Sequence, residues 1–288
     1  MTERFTTSDG LSLAYDDQGS GPPLLCLAGL TRNMADFEPV LARFRDRARI
    51  IRMDARGRGL SDYAPDWQSY ALPREAQDVV ELLDHLGVDR AAILGTSRGG
   101  LLALTLAVSH LERLSGVMFV DIGPVIEQAG LDVIVEYIGR PPAFASLDEA
   151  AAALPAAMAP AFANVPDATW RAHVERLYHP GPDGLALRYD PALREAVLAG
   201  VEAGPPPALW PLYDALADKP VGLIRGANST LLSAETAAEM RARRPDLIFA
   251  DVPDRGHVPF LDEPEAEAAL AEFLTRLDAP AAPPRETP

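Results

Sequence analysis

Residues 91–109 read AAILGTSRGGLLALTLAVS. The first four, Ala91 to Leu94, form a short apolar run of the kind that fills a strand buried on both faces. From Gly99 to Ser109 almost every residue is apolar, as in a helix packed against a sheet. Between them, Gly95-Thr96-Ser97-Arg98-Gly99 has the pattern G-x-S-x-G. At average glycine usage that pattern arises by chance in roughly one chain in ten of this length, so its setting must carry the weight. Here a strand ends, a serine stands at the tip of a sharp turn, and a helix begins. Side chains at the two flanking positions would collide with so tight an apex, which gives Gly95 and Gly99 a steric reason to be glycine. The helix start beneath Ser97 also aims backbone N–H groups at any negative charge developing beside the hydroxyl. A glycine-rich turn with a surface serine is the bland alternative.

Working outward, residues 5–15 read as a pair of short strands around Asp9-Gly10, and 22–27 as a buried strand ending at Ala28-Gly29. Residues 35–47 space Phe37, Val40, Leu41 and Phe44 at helical intervals, and 48–53 follow as a strand ending at Asp54. Val79, Val80, Leu82, Leu83 and Leu86 share one face of a helix over 75–86, which Gly87 stops. A strand over 114–120 closes at Asp121. Such alternation predicts an α/β fold: a mostly parallel sheet with helices on both faces and a ligand site beyond the carboxyl ends of its strands.

The rhythm breaks over residues 123–212. Helical patterns at 131–138, 147–158, 170–177 and 191–201 are separated by Pro141-Pro142 and Pro205-Pro206-Pro207, with no convincing strand, so an all-helical insertion is expected. Strand-like runs resume at 221–224 and 247–252, and an amphipathic helix over 265–277 closes the pattern. The expected plan is a core of residues 1–122 and 213–278, a helical cap of 123–212, and a proline-rich, disordered tail of 279–288.

The chain has 288 residues, 48% apolar and 24% charged, the balance of an ordinary globular protein. No run approaches the roughly 20 apolar residues that span a bilayer, and the polar first residues lack a signal-peptide pattern, so a cytoplasmic protein without a membrane partner is expected. A formal charge of −16 repels phosphate backbones and argues against nucleic acid as a partner. Cys26 is the only cysteine, which excludes an intramolecular disulfide and a cysteine-based zinc site. Within the apolar run 24–27 it reads as a buried small hydrophobe rather than a nucleophile.

A serine hydroxyl is a poor nucleophile until a base takes its proton, so a histidine is required. His85 and His110 lie at helix ends, and His173 and His179 lie in the insertion, where surface or packing roles are expected. His257 differs. It sits in Pro253-Asp254-Arg255-Gly256-His257, directly after the last strand and before the closing helix, at the edge where the strand's carboxyl end opens toward the site.

Over residues 5–277 the chain resembles the α/β-hydrolase superfamily, in its serine esterase-like branch with a helical cap. The resemblance rests on the Ser97 turn, on Asp54-Ala55-Arg56-Gly57-Arg58-Gly59-Leu60-Ser61, and on the late Gly256-His257, in the order serine, acid, histidine. Epoxide hydrolases and haloalkane dehalogenases of that branch usually carry aspartate where Ser97 stands, so the resemblance implies ester-type acyl transfer. The Asp54 turn is expected to be structural. The acid usually follows the strand that is here 221–224, in a stretch resembling Arg225-Gly226-Ala227-Asn228-Ser229-x, but x is Thr230, which cannot support an imidazolium as a carboxylate does. Either the usual acid is missing or it comes from elsewhere; Asp121 resembles a family variation in which the acid follows the earlier strand. The resemblance also implies an oxyanion hole of the Leu30 and Arg98 N–H groups, with Ala28-Gly29 where the family often has His-Gly. The Arg98 guanidinium would be either a solvated surface charge or an attraction for an acidic substrate.

The expected function is hydrolysis of small to medium carboxylic esters by Ser97, His257 and Asp121, without metal or organic cofactor, the partner being a small-molecule ester-type substrate. Met158, Phe162, Trp170, Tyr178 and Trp210 would wall the pocket, unless they form the core of the cap. Lactone, thioester and carbon–carbon bond hydrolysis use the same apparatus. A reading of another class, a ligand-binding homologue with impaired chemistry, rests on Thr230 and Ala28.

Overall fold

The computed structural model describes residues 2–204 and 206–278. Its first half alternates as the sequence predicts. Strands β1 (Glu3–Thr6), β2 (Ser12–Gly19) and β3 (Pro23–Leu27) precede α1 (Glu38–Phe44) and β4 (Arg49–Met53). Helix α2 (Leu72–His85), strand β5 (Ala91–Thr96), helix α3 (Arg98–Ser109) and strand β6 (Leu114–Val120) follow. Between β6 and the next strand of the main sheet lie α4 (Gln128–Tyr137), α5 (Leu147–Ala157), α6 (Asp167–Leu177), β7 (Tyr178–Gly181), β8 (Gly184–Leu187), α7 (Leu193–Glu202) and α8 (Trp210–Asp214). The chain then forms β9 (Val221–Gly226), α9 (Ala234–Arg243), β10 (Ile248–Val252) and α10 (Pro264–Asp278).

Eight strands make one sheet in the order β1-β2-β4-β3-β5-β6-β9-β10. The pairs β1/β2 and β2/β4 are antiparallel and the rest parallel. Side chains alternate across this sheet with period two. Leu25, Ile51, Ile93, Phe119 and Leu223 enter the layer shared with α2 and α3, while Leu24, Ile50, Leu94, Met118 and Ile224 enter the layer shared with α1 and α10. Cys26 lies in the second layer, where burial pushes its thiol pKa up and keeps it protonated.

One expectation needs correction. The stretch between β6 and β9 is not wholly helical: β7 and β8 form an antiparallel hairpin in the register Tyr178↔Leu187 to Gly181↔Gly184. Pro182-Asp183-Gly184 supplies turn chemistry, and Leu185 and Leu187 alternate into packed clusters, so the hairpin has a sequence basis in spite of its four-residue strands. Helix α8 is a further element that the pattern did not predict. The tail 279–288, expected to be disordered, lies outside the described residues. No helix among the described residues is long and apolar enough to cross a membrane.

Candidate active site

Ser97 joins β5 to α3 with φ 49° and ψ −112°. A non-glycine residue at such a φ costs of order 1–3 kcal/mol unless its surroundings impose it. They do: Ser97 N–H donates to the Val120 carbonyl (2.9 Å), and the Ser97 carbonyl accepts from Gly100 N–H (2.9 Å). The flanking glycines are required by neighbours other than the serine. A Cβ on Gly99 would stand 2.0 Å from the Leu27 carbonyl oxygen, and one on Gly95 2.6 Å from the Gly100 nitrogen. Backbone cannot yield to either, so β3 and the first turn of α3 exclude side chains there.

The loop after β10 brings His257 over this turn. Its Nε2 lies 2.9 Å from Ser97 Oγ and its Nδ1 2.7 Å from Asp121 Oδ2. An ionised carboxylate only accepts, so contact with Asp121 places the ring proton on Nδ1 and leaves the Nε2 lone pair facing the serine hydroxyl. Asp121 follows β6 with φ 52° and is fully buried. Its N–H donates to the Ile224 carbonyl (2.7 Å), its Oδ1 accepts from Gly226 N–H (2.8 Å), and its Oδ2 accepts from Ser229 Oγ (2.6 Å). The loop after β9, where the sequence places Thr230, thus supplies hydrogen-bond donors to Asp121, while Thr230 itself is exposed. The His257 loop is fixed by Glu263, which accepts from Arg255 Nε (2.7 Å) and from the Phe260 and Leu261 N–H groups (2.9 Å each).

Arg98 is the first residue of α3, where N–H groups have no partner within the helix. Leu30 lies in the loop after β3. Buried groups connect the two. The Arg58 Nε donates to the Leu30 carbonyl (2.8 Å) and its Nη1 to Glu75 Oε1 (2.6 Å), while Arg98 Nε donates to Glu75 Oε2 (2.7 Å). Glu75, on α2, is 1% exposed. Burial alone would raise its pKa, but Arg58 and Arg98 together hold the carboxyl below its usual value. The Arg98 guanidinium is therefore neither a solvated charge nor a hook for substrate: Glu75 and the Tyr70 carbonyl (2.9 Å) turn it into the protein. Ser229, Glu75 and Arg58 were missed from sequence, where nothing marks which carboxylate or hydroxyl meets which partner.

The expected wall residues divide. Phe162 lies against the His257 loop, since a Cβ on Gly256 would stand 3.0 Å from its Cε2. Phe162 and Trp170 pack with Phe260, and Met158 and Ala161 cover them. With Trp170 only 2% exposed, its ring backs this wall rather than facing a ligand. Tyr178 packs at the start of the hairpin between two clusters. Trp210 is placed elsewhere: on α8, it lies edge-on to Tyr213 and beneath the Arg243 guanidinium, 4.3 Å from its ring centre. These contacts commit Trp210 to the packing of α8 and α9, contrary to the expected role. Asp54, in the turn that the sequence marks as structural, accepts from Met34 N–H (2.6 Å) and Leu60 N–H (2.8 Å), and burial lifts its pKa to about 6.

This fold and the 24–270 match to the model of the alpha/beta hydrolase family define the class: the chain belongs to that family. Among particular relatives, it is 33% identical over 269 residues to 3-hydroxybutyrate-oligomer hydrolase of Cupriavidus necator, covering 91% of each chain. It is 32% identical to 2-(acetamidomethylene)succinate hydrolase of Mesorhizobium japonicum, covering 93% of this chain and 92% of that one. An alpha/beta hydrolase from Novosphingobium aromaticivorans superposes with a TM-score of 0.89 at 38% identity, over 96% of this chain and 98% of that one. These likenesses place the chain among hydrolases.

Proposed function

We propose that this hydrolase cleaves small to medium carboxylic esters through Ser97, His257 and Asp121. The observation that carries the reading is the single imidazole in hydrogen-bonding reach of both the strained serine and the buried aspartate. In the proposed reaction His257 Nε2 takes the Ser97 proton as Oγ attacks the ester carbonyl, and Asp121 stabilises the imidazolium. The backbone N–H groups of Leu30 and Arg98 receive the oxyanion, an arrangement in which each donor can contribute ~10²–10³ in rate. His257 returns the proton to the leaving alcohol, and water releases the acyl group by the same steps. Residues 123–212 act as a cap over the serine, with Phe162 next to the histidine loop. The name of the Cupriavidus relative supports ester chemistry, because an oligomer of a hydroxy acid is joined by ester bonds. Hydrolysis of lactones, thioesters or carbon–carbon bonds would use the same groups.

A panel of short esters, longer esters, lactones and thioesters, assayed with the protein and with Ser97→Ala, tests this reading. Turnover is expected to be highest on esters and to disappear with Ser97→Ala. Turnover on none of the four, with only reversible binding, would instead favour a ligand-binding homologue.

A further inference from the structure

With the Arg98 guanidinium turned into the protein, the stem of another arginine lies beside the nucleophile. A Cβ built on Gly29 would lie 3.3 Å from Arg32 Cγ and 3.7 Å from Ser97 Cβ, so the Arg32 stem and the serine flank one glycine. The Arg32 side chain is only 15% exposed. Burial works against its charge, but Asp36 more than offsets this, and Arg32 stays cationic. Asp36 takes one edge of the guanidinium, Nε to Oδ2 (2.7 Å) and Nη2 to Oδ1 (2.6 Å). This fixes the plane of the fork and leaves Nη1 on the other edge.

The second edge is poorly satisfied. Its contacts are Nη1 to His173 Nε2 and Nη2 to His173 Nδ1, both 3.5 Å, at the limit of hydrogen bonding. A neutral imidazole has one lone pair, so only one of these can be attractive. Burial, with the charges of Arg32 and Arg176, holds the His173 pKa well below its usual value, so the ring is neutral. Tyr137 and Tyr178 lie within electrostatic range of Arg32. An arginine pinned on one edge by Asp36 and weakly satisfied on the other by His173 thus has its stem beside Ser97, in a chain whose net charge is −16.

We propose that the open edge of Arg32 binds a carboxylate carried by the substrate, so that the site prefers esters bearing a second, anionic group over neutral ones. The proposal rests on Ser97 being the nucleophile. A planar carboxylate matches the fork, and shorter, charge-assisted bonds would replace the long contacts to His173. Because Asp36 leaves the pair close to neutral, the preference comes from these short-range bonds and not from a field over the whole surface.

The test compares kcat/KM for monoethyl and diethyl esters of four- to six-carbon dicarboxylic acids, and for 4-acetoxybutanoate and its ethyl ester, which move the carboxylate to the alcohol side. The protein is expected to prefer the anionic member of at least one pair by roughly 10- to 100-fold, the range of a charge-assisted hydrogen bond. Arg32→Gln should abolish that preference while changing the neutral rate by less than about threefold, and Arg32→Lys should keep part of it. Fluorophosphonate labelling of each variant separates the two ideas. Loss of labelling in the unsubstituted protein would remove Ser97 as nucleophile. Intact labelling with no preference, or with a preference that survives Arg32→Gln, overturns the assignment of Arg32. Equal losses on charged and neutral esters would make Arg32 a structural residue and overturn it too.

Discussion

Glu75→Gln is the sharpest perturbation of the groups behind the two proposed oxyanion donors. Glu75 accepts from Arg58, which holds the Leu30 carbonyl, and from Arg98, whose own N–H is the other proposed donor. Glutamine keeps the volume but presents one acceptor and one N–H₂ to two guanidiniums. Removing one partner of a buried ion pair costs about 3–5 kcal/mol. In a domain of this size, a loss near the lower end lowers Tm by roughly 6–12 °C. Deleting an oxyanion donor costs ~10²–10³ in kcat, and loosening two should cost part of that, about 10- to 100-fold, with KM changed less than about threefold. Stability alone could mimic a loss of activity, so the assay needs Asp78→Asn beside it. Asp78 is also on α2, also buried, and pairs with Arg56 through two 2.7 Å bonds, but neither side chain is hydrogen-bonded to Leu30 or Arg98. Steady-state kinetics at a temperature where both variants are folded should show the kcat loss in Glu75→Gln alone. Equal losses in the two variants, or an unchanged kcat in Glu75→Gln, would refute the reasoning.

Asp121→Asn replaces an acceptor-only carboxylate by an amide that no longer dictates the His257 tautomer, and kcat is expected to fall by roughly 10³–10⁴; a loss below about tenfold in the same ester assay would contradict its role. The Asp54 pKa, raised by burial to about 6, sets a pH dependence. Between about pH 4 and 6 the folded state holds a proton that the unfolded state has released, so this group's contribution to stability falls as pH rises, by about 3 kcal/mol over the window. Denaturation series across that window should show a flatter dependence for Asp54→Asn, and an identical slope would exclude Asp54 as its source.

The central sheet was legible because apolar runs such as Leu24 to Leu27 and Ala91 to Leu94 are buried on both faces and need no partner to be recognised. The turn at Ser97 was legible because steric demands write themselves as glycines. Long-range polar pairing was not. Glu75 is separated from Arg58 and Arg98 by 17 and 23 residues, and Arg32 from His173 by 141, and no local pattern links them. Ser229 illustrates the same limit: its loop drew attention through Thr230, yet its contact to Asp121 depends on how β6 and β9 lie side by side. The β7–β8 hairpin escaped notice because four-residue strands, one containing Pro180, carry too little alternation. Trp210 looked like a pocket wall only because it is aromatic; its α8 helix packs against α3, and Arg243 covers its ring.

The claim on which the rest depends is that the Ser97 hydroxyl is activated by His257, and intact mass with peptide mapping after brief exposure to a fluorophosphonate measures it most directly. One adduct per chain, on Ser97, is predicted, absent in Ser97→Ala and formed far more slowly in His257→Ala. An adduct on another residue, or labelling of Ser97→Ala at the rate of the unsubstituted protein, would contradict the account.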